Sequence, residues 1–330
     1  MLDLSEPTLL DVAREAGVSI ASASRVLNGM KTRDHTAERV HAAAEHLGYL
    51  PNRAARSLRS RRTGFVTFLT QELDDLASAA IASGLEAALQ ERGLHLLLQS
   101  ALDSDDIANS LRSARPDAAV IRLPSLPSVA VDQLRRLRTA VAAIGTAQAT
   151  VAKTDYVIVD EQGSASLAVC HLYGAGRRRI GYLQGSTAPP YADEHAIGFR
   201  EGHERCGSAG ALFLTSSHQS YAPRDAAAAL INDSRVDALI CADGAATHAT
   251  LAVMASKGLS APDHIAVVTL AGPGIASGVF PELTSVDPGW RQAGRMAADL
   301  VSARIAHPAR KLRTLKTEPL ITVRASTAAQ

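Results

Sequence analysis

Over roughly the first fifty positions, apolar residues recur three and four apart, the repeat of amphipathic helices. Thr8 is a predicted N-cap, with Asp11 three residues on as a partial capping box. Leu9, Val12, Ala13 and Ala16 form one apolar stripe, and Gly17 ends the helix by taking the positive φ of a tight interhelical turn. Ser19 caps a second helix. Its Ala23, Val26 and Leu27 face the first, which leaves Ile20, Ala21, Ser24, Arg25 and Asn28 pointing outward. A third helix starts near Asp34 to Thr36, buries Val40, Ala43, Ala44 and Leu47, and closes at Gly48. Pro51 blocks continuation, and Asn52 can cap a short helix from Arg53 to about Arg59.

Beyond Arg62-Thr63-Gly64 the pattern changes to short continuous apolar runs alternating with helical stretches. Strands are predicted at 65–70, 95–100, 118–123 and 140–144, and helices at 77–92, from 105 and near 131–138. After Val157-Ile158-Val159-Asp160 the rhythm resumes, with helices at 163–173, 194–206, 224–232 and 247–257 and strands at 180–183, 211–214, 238–241 and 265–270. Such alternation predicts parallel sheets covered by helices. The expected architecture is a small all-α helix-turn-helix head with a hinge helix, then an α/β core of two lobes. A ligand cleft is expected between the lobes, near the strand ends.

Charge sharpens the reading of the head. The 330 residues carry a net charge of only +1, so the chain is no basic coat for nucleic acid. Arg53, Arg56, Arg59, Arg61 and Arg62 nevertheless stand close together with no acid among them. A helix-turn-helix places the N-terminal part of its second helix in the major groove. There Ile20 and Ala21 would meet a thymine methyl, and Arg25 can bond guanine bidentately. Thr8, Ser19, Ser22, Ser24 and Asn28 suit phosphate contacts, which set register without reading sequence. The plainer alternative is a helical hairpin with a solvated polar face. For the arginine-rich segment, the alternatives are a charged linker or a segment that folds on DNA with Leu58 wedged between base steps.

Other classes fare poorly. Cys170, Cys206 and Cys241 are scattered without metal-ligand spacing, which predicts three buried, reduced thiols in a cytoplasmic protein. The opening MLDLSEPTLLD lacks the basic-then-apolar pattern of a signal peptide, and no apolar run is long enough to span a bilayer. GAGRRR at 174–179 follows a helix rather than a strand, so it is no phosphate loop, and no GxSxG, HExxH or P-loop occurs. The expectation is a protein that is not an enzyme and has neither cofactor nor metal.

From Thr8 to Leu58 the segments DVAREAGVS, SRVLN, TAERV, LGYLPN and RAARSL stand in an order that resembles the LacI/GalR family of bacterial transcription regulators. RRRIGYLQG, AIGFREG, PDHIAVV, LTSV and PLITVRAST extend the resemblance through the body. The resemblance implies a homodimer on a near-palindromic operator, repression, and a periplasmic-binding-protein-like core. It implies that Ile20, Ala21 and Arg25 read the major groove, and that Ala55 and Leu58 enter the minor groove. Leu9, Tyr49, Asn52, Arg53, Arg56 and Arg59 complete the expected DNA-contacting set. The domains expected are a head over 1–51, a hinge over 52–63 and a core over 64–330. Within the core, the N-lobe takes about 64–160 and 291–317, and the C-lobe about 161–290 and 318–330. The crossings between lobes are expected near Asp160, Trp290 and Glu318.

At the cleft the sequence departs from that family. Where sugar-binding members carry an asparagine-proline-aromatic-aromatic run stand Asp74, Asp75, Leu76 and Ala77. Thr146 and Asp193 stand where arginines are usual. Asp243-Gly244 replaces an Asn-Asp pair, and Ala271-Gly272 an Asp-Asp pair. Asp160 and the aromatic Trp290 are kept in kind. The expected effector residues are therefore Asp74, Asp75, Leu76, Thr146, Asp160, Asp193, Asp243, Ala271 and Trp290. Trp290 also reads as simple packing, and the aspartates as helix caps. Three accounts stay open: an effector other than an ordinary neutral sugar, with a cationic group to match the aspartates; a sugar held by different residues; or a regulator without an effector. The first is the expectation. A solute-binding receptor is the alternative from another class, and it would not need the head.

Overall fold

The computed structural model describes residues 7–27, 34–49, 62–71, 73, 75–100, 109, 111–122, 139–147, 154–184, 190–207, 212–214, 223–233 and 236–328. The chain divides into two units, Met1–Thr63 and Gly64–Gln330.

The first unit is helical, with α1 (Leu9–Glu15), α2 (Ile20–Leu27) and α3 (Asp34–His46). Thr8 and Asp11 form a reciprocal capping box: the Asp11 carboxylate accepts from the Thr8 backbone N–H at 2.9 Å and from its hydroxyl at 2.6 Å. Gly17 turns the chain with φ +59°, and the Ser22 N–H donates to the Ser19 hydroxyl at 3.1 Å to start α2. Val12, Ala13, Ala16, Ala23, Val26, Val40, Ala43 and Ala44 make the core, with Leu9, Leu27, Leu47 and Tyr49 packed at its edge. The Arg39 guanidinium adds a bond to the Ala16 carbonyl, which closes the C-terminus of α1.

The second unit holds two six-stranded sheets among its described residues. The first is built from β1 (Phe65–Thr70), β2 (His95–Ser100), β3 (Ala118–Arg122), β4 (Ala140–Gly145), β5 (Asp155–Ile158) and, late in the chain, β11 (Thr314–Lys316). Its order is β11-β5-β4-β3-β1-β2, and every pairing is parallel. The second holds β6 (Ile180–Leu183), β7 (Leu212–Leu214), β8 (Ala238–Cys241), β9 (Ala266–Thr269), β10 (Thr284–Asp287) and β12 (Leu320–Thr322). Its order is β12-β10-β9-β8-β6-β7, with β12 antiparallel to β10. Central strands such as β6 and β8 are buried along their length, as parallel strands covered on both faces require.

The helices are α4 (Leu76–Gln90), α5 (Glu161–Gly174), α6 (Tyr191–Arg205), α7 (Pro223–Asn232), α8 (Gly244–Ser256), the single turn α9 (Pro273–Ala276) and α10 (Trp290–Ala306). Helices α4, α5 and α8 begin one to three residues earlier than the periodicity predicts. The cause is chemical: Asp75, Asp160 and Asp243 each cap a helix by accepting the N–H three residues on. Glycines bring two helix pairs into backbone contact. A Cβ on Gly84 of α4 would lie 2.0 Å from the Arg291 carbonyl oxygen in α10, and one on Gly198 of α6 would lie 1.9 Å from that of Gln162 in α5. The predicted helices near 131–138 and over most of the stretch from 105 lie outside the described residues, although 111–114 is helical.

The chain passes from the first sheet to the second between β5 and α5, back between β10 and α10, and over again between β11 and β12. Thr317 ties the three passages together. Its hydroxyl accepts from the Asp160 N–H at 3.0 Å and donates to the Pro288 carbonyl at 2.6 Å. Trp290, expected as the last residue of the C-lobe, begins α10 and packs against the apolar core of the N-lobe. Among the described residues no helix is long and apolar enough to cross a membrane.

Candidate functional site

On the head, α2 presents the residues expected to read bases. Ile20 is 49% exposed, Ala21 and Arg25 are exposed, and the Arg25 Nε donates to the Ala21 carbonyl at 3.3 Å. Thr8, Ser19 and Ser22 stand at the N-termini of α1 and α2, where N–H groups and hydroxyls suit phosphate oxygens. Ser24 is a correction: at 7% exposure it belongs to the inner side of α2. Its small side chain lies one 100° step from Ala23, at the edge of the buried arc, and is covered there. Leu9 and Tyr49 are part-buried against the head core, so each has at most an edge to offer. Asn28, Asn52, Arg53, Ala55, Arg56, Leu58 and Arg59 lie outside the described residues.

In the core, the residues at the C-terminal ends of the parallel strands meet across the two lobes. Arg122, the last residue of β3, is central, and the sequence reading missed it. Its Nη1 bonds the Asp75 carboxylate and donates to the Ser78 hydroxyl at 2.7 Å. From there the guanidinium reaches the opposite lobe, 5.7 Å from the centre of the Tyr191 ring at the start of α6. Burial works against the charge on Arg122, but Tyr191 and Asp75 outweigh it and hold its pKa above the ordinary value. The Tyr191 hydroxyl is pushed up to about 12, chiefly by burial, with Arg122 opposing. No motif marks an arginine at the end of an apolar strand, and only the fold brings it to Asp75 and Tyr191.

A second link joins the lobes through Glu161, 2% exposed in the first turn of α5. Its carboxylate accepts from the Trp290 indole N–H at 3.1 Å and pairs with the His195 Nε2 at 2.9 Å. The far side of the indole faces the β9 loop, where a Cβ on Gly272 would lie 3.6 Å from Cζ3. Trp290 therefore joins the N-lobe core, Glu161 and the loop after β9.

Three of the aspartates follow the second of their two sequence readings, as helix caps. The Asp75 carboxylate caps α4 at the Ser78 N–H, 3.0 Å, while bonded to Arg122. Asp160 caps α5 at 2.8 Å and pairs with the Lys316 Nζ at 2.9 Å. Asp243 caps α8 at the Ala246 N–H, 2.8 Å. Asp193 is exposed in the first turn of α6. Caps or ion pairs thus engage three of these carboxylates, Asp75, Asp160 and Asp243. Leu76 is exposed at the head of α4, and Ala271 is buried with its N–H on the Thr269 hydroxyl at 3.1 Å. Thr146 is buried. Its carbonyl accepts from the Tyr156 hydroxyl at 2.9 Å, and its own hydroxyl has no hydrogen-bond partner among the described residues. Asp74 lies outside the described residues.

Known proteins share this architecture. Residues 8–52 match the model for bacterial regulatory proteins of the lacI family, and residues 169–327 match that for a periplasmic binding protein-like domain. The chain is 30% identical over 315 residues to the transcriptional regulator CelR of Thermobifida fusca, covering 91% of this chain and 92% of CelR. It is 24% identical to the repressor PurR of Photobacterium profundum, over 97% and 98% of the two chains. Among solved structures, a CelR–cellobiose complex superposes with TM-score 0.66 at 25% identity, covering 97% of this chain and 99% of that one. The lac repressor dimer bound to operator and the anti-inducer ONPF superposes with TM-score 0.78 at 21% identity, over 98% and 100%. With a helix-turn-helix head, a two-lobed core and relatives that are regulators rather than enzymes, the chain belongs to the lacI family of bacterial regulatory proteins and is a DNA-binding transcription regulator.

Proposed function

We propose that the protein is a repressor acting in the cytoplasm as a homodimer on a near-palindromic operator. Ile20, Ala21 and Arg25 read bases, Thr8, Ser19 and Ser22 set register on phosphates, and the arginine-rich hinge with Leu58 engages the minor groove. The effector is a small hydroxyl-rich molecule of the saccharide class, held between the lobes by residues other than those the family usually employs. The observation that carries this is Arg122, anchored by Asp75 and Ser78 and set against Tyr191 of the other lobe. An oriented guanidinium, a paired carboxylate and two aromatic faces, Tyr191 and Trp290, are the groups that bind sugar hydroxyls and ring faces. This takes the second of the open accounts, a sugar held by different residues, in preference to the cationic ligand expected from the aspartates. A relative solved with cellobiose supports the class.

Trp290 is the chain's single tryptophan, so intrinsic fluorescence reports on the cleft. Titration with neutral disaccharides, cellobiose first, should shift its emission and change operator affinity by about tenfold, an ordinary allosteric coupling. Arg122→Leu should abolish both responses and leave the untreated protein bound to operator. A panel of neutral saccharides that moves neither signal, alongside an amine-bearing metabolite that moves both, would overturn the saccharide reading.

A further inference from the structure

Away from the head and the cleft, the core brings two nucleophilic groups together. Cys170 of α5 and Cys206, at the C-cap of α6, are free thiols with their Sγ atoms 3.4 Å apart. Both are part-exposed. The backbone enforces this approach. A Cβ added to Gly202, one turn before Cys206, would lie 2.7 Å from the Val169 Cβ beside Cys170. Helices that touch through glycine carry flanking side chains close enough for the roughly 3.5–4.5 Å Cβ separation of a disulfide. The third thiol differs: Cys241 is fully buried, lies 3.3 Å from the Thr250 hydroxyl, and is pushed up to about 12 by burial.

We propose that Cys170 and Cys206 form an oxidant-responsive modification site, at which a peroxide converts the thiol pair into a disulfide that staples α5 to α6. One thiol releases its proton, its thiolate attacks a peroxide oxygen, and the O–O bond breaks; a sulfenic acid forms, and the departing hydroxide takes up the released proton to become water. The second thiol gives up its proton and attacks the sulfenic sulfur, the S–O bond breaks, and a second water leaves. Two thiols lose two electrons in all, and hydrogen peroxide becomes two waters. Dithiols reverse the reaction by exchange. The staple fixes the helices whose first turns carry Glu161 and Tyr191 to the cleft, so it stiffens the C-lobe wall without touching the ligand. Burial and contact with Cys170 raise the Cys206 thiol, with Arg205 and Arg178 opposing. Attack through the Cys206 thiolate therefore speeds up about tenfold per pH unit below that pKa.

The test treats the full-length protein with hydrogen peroxide and then counts thiols and maps peptides. The expected result is loss of two of the three thiols, a Cys170–Cys206 linked peptide, recovery with dithiothreitol, and a raised Tm for the oxidised protein. Cys170→Ser should give no link and no Tm rise, and a sulfenic acid at Cys206 that dimedone traps. Cys206→Ala provides the same control if the serine variant folds poorly. Three intact thiols, a link through Cys241 or between two chains, or sulfinic acid in place of the link would each overturn the proposal.

Discussion

At the scale of single residues, exposure separates readers from packers. Arg25 stands exposed on α2, whereas Ser24 beside it is buried. Arg25→Ala should therefore cost about 1–3 kcal/mol per half-site and relax preference at one base pair, as loss of a bidentate guanine contact does. Selection of operators from a random pool measures this, and an unchanged sequence logo would remove Arg25 from the reading set. Asp155 shows the opposite use of charge. It is fully buried and held by the Arg304 and Arg310 guanidinia at 2.8 and 2.9 Å and by the Arg313 N–H at 2.9 Å. That cluster anchors β5 and β11 side by side, at the edge of the first sheet.

At the scale of elements, α6 carries both cleft and core chemistry. Its first turn presents Tyr191 and, one turn on, His195, while its last turn buries His203 against Phe199 and Tyr173 with ring centroids 4.6 and 5.8 Å away. Neither ring nitrogen of His203 has a hydrogen-bond partner among the described residues, and burial lowers its pKa below the ordinary 6.5. His171 of α5 is lowered for the same reason. In the folded chain these rings stay neutral while the unfolded chain takes up protons. Their contribution is thus complete above about pH 6.5 and is lost as pH falls toward the folded values. Calorimetric Tm should drop between pH 7 and 5.5, and His203→Phe should flatten part of that slope. An equal slope in the variant would place the proton uptake elsewhere.

At the scale of the molecule, one chain crosses between the lobes three times, so each lobe is closed by segments from distant parts of the sequence. Thr317 binds all three passages. Two-fold symmetry of a dimer calls for two inverted half-sites. For the proposed dimer, in which two heads and two arginine-rich segments meet phosphates, operator affinity should fall on the order of 10³-fold or more between 50 and 200 mM salt. A flat salt response in fluorescence anisotropy would rule out the phosphate contacts.

Much of this was legible along the chain because the signals were local. Helix caps, the Gly17 turn, the three-four spacing of head apolar residues and the strand–helix rhythm all act within a few residues, and they sufficed for the architecture and the family. Tertiary structure decided which polar groups meet. For Asp75, Asp160 and Asp243 the sequence leaves ligand group and helix cap as alternatives, because it does not show a partner such as Arg122, 47 positions away, or Lys316. Ser24 stands at the edge of the buried arc of α2, where periodicity alone leaves its side undecided and packing covers it. Arg122 opposite Tyr191, Glu161 between Trp290 and His195, and the facing thiols of Cys170 and Cys206 exist only once the lobes are assembled. Local patterns specify elements because backbone geometry repeats. Sites depend on long-range contacts, which folding alone brings within hydrogen-bonding distance.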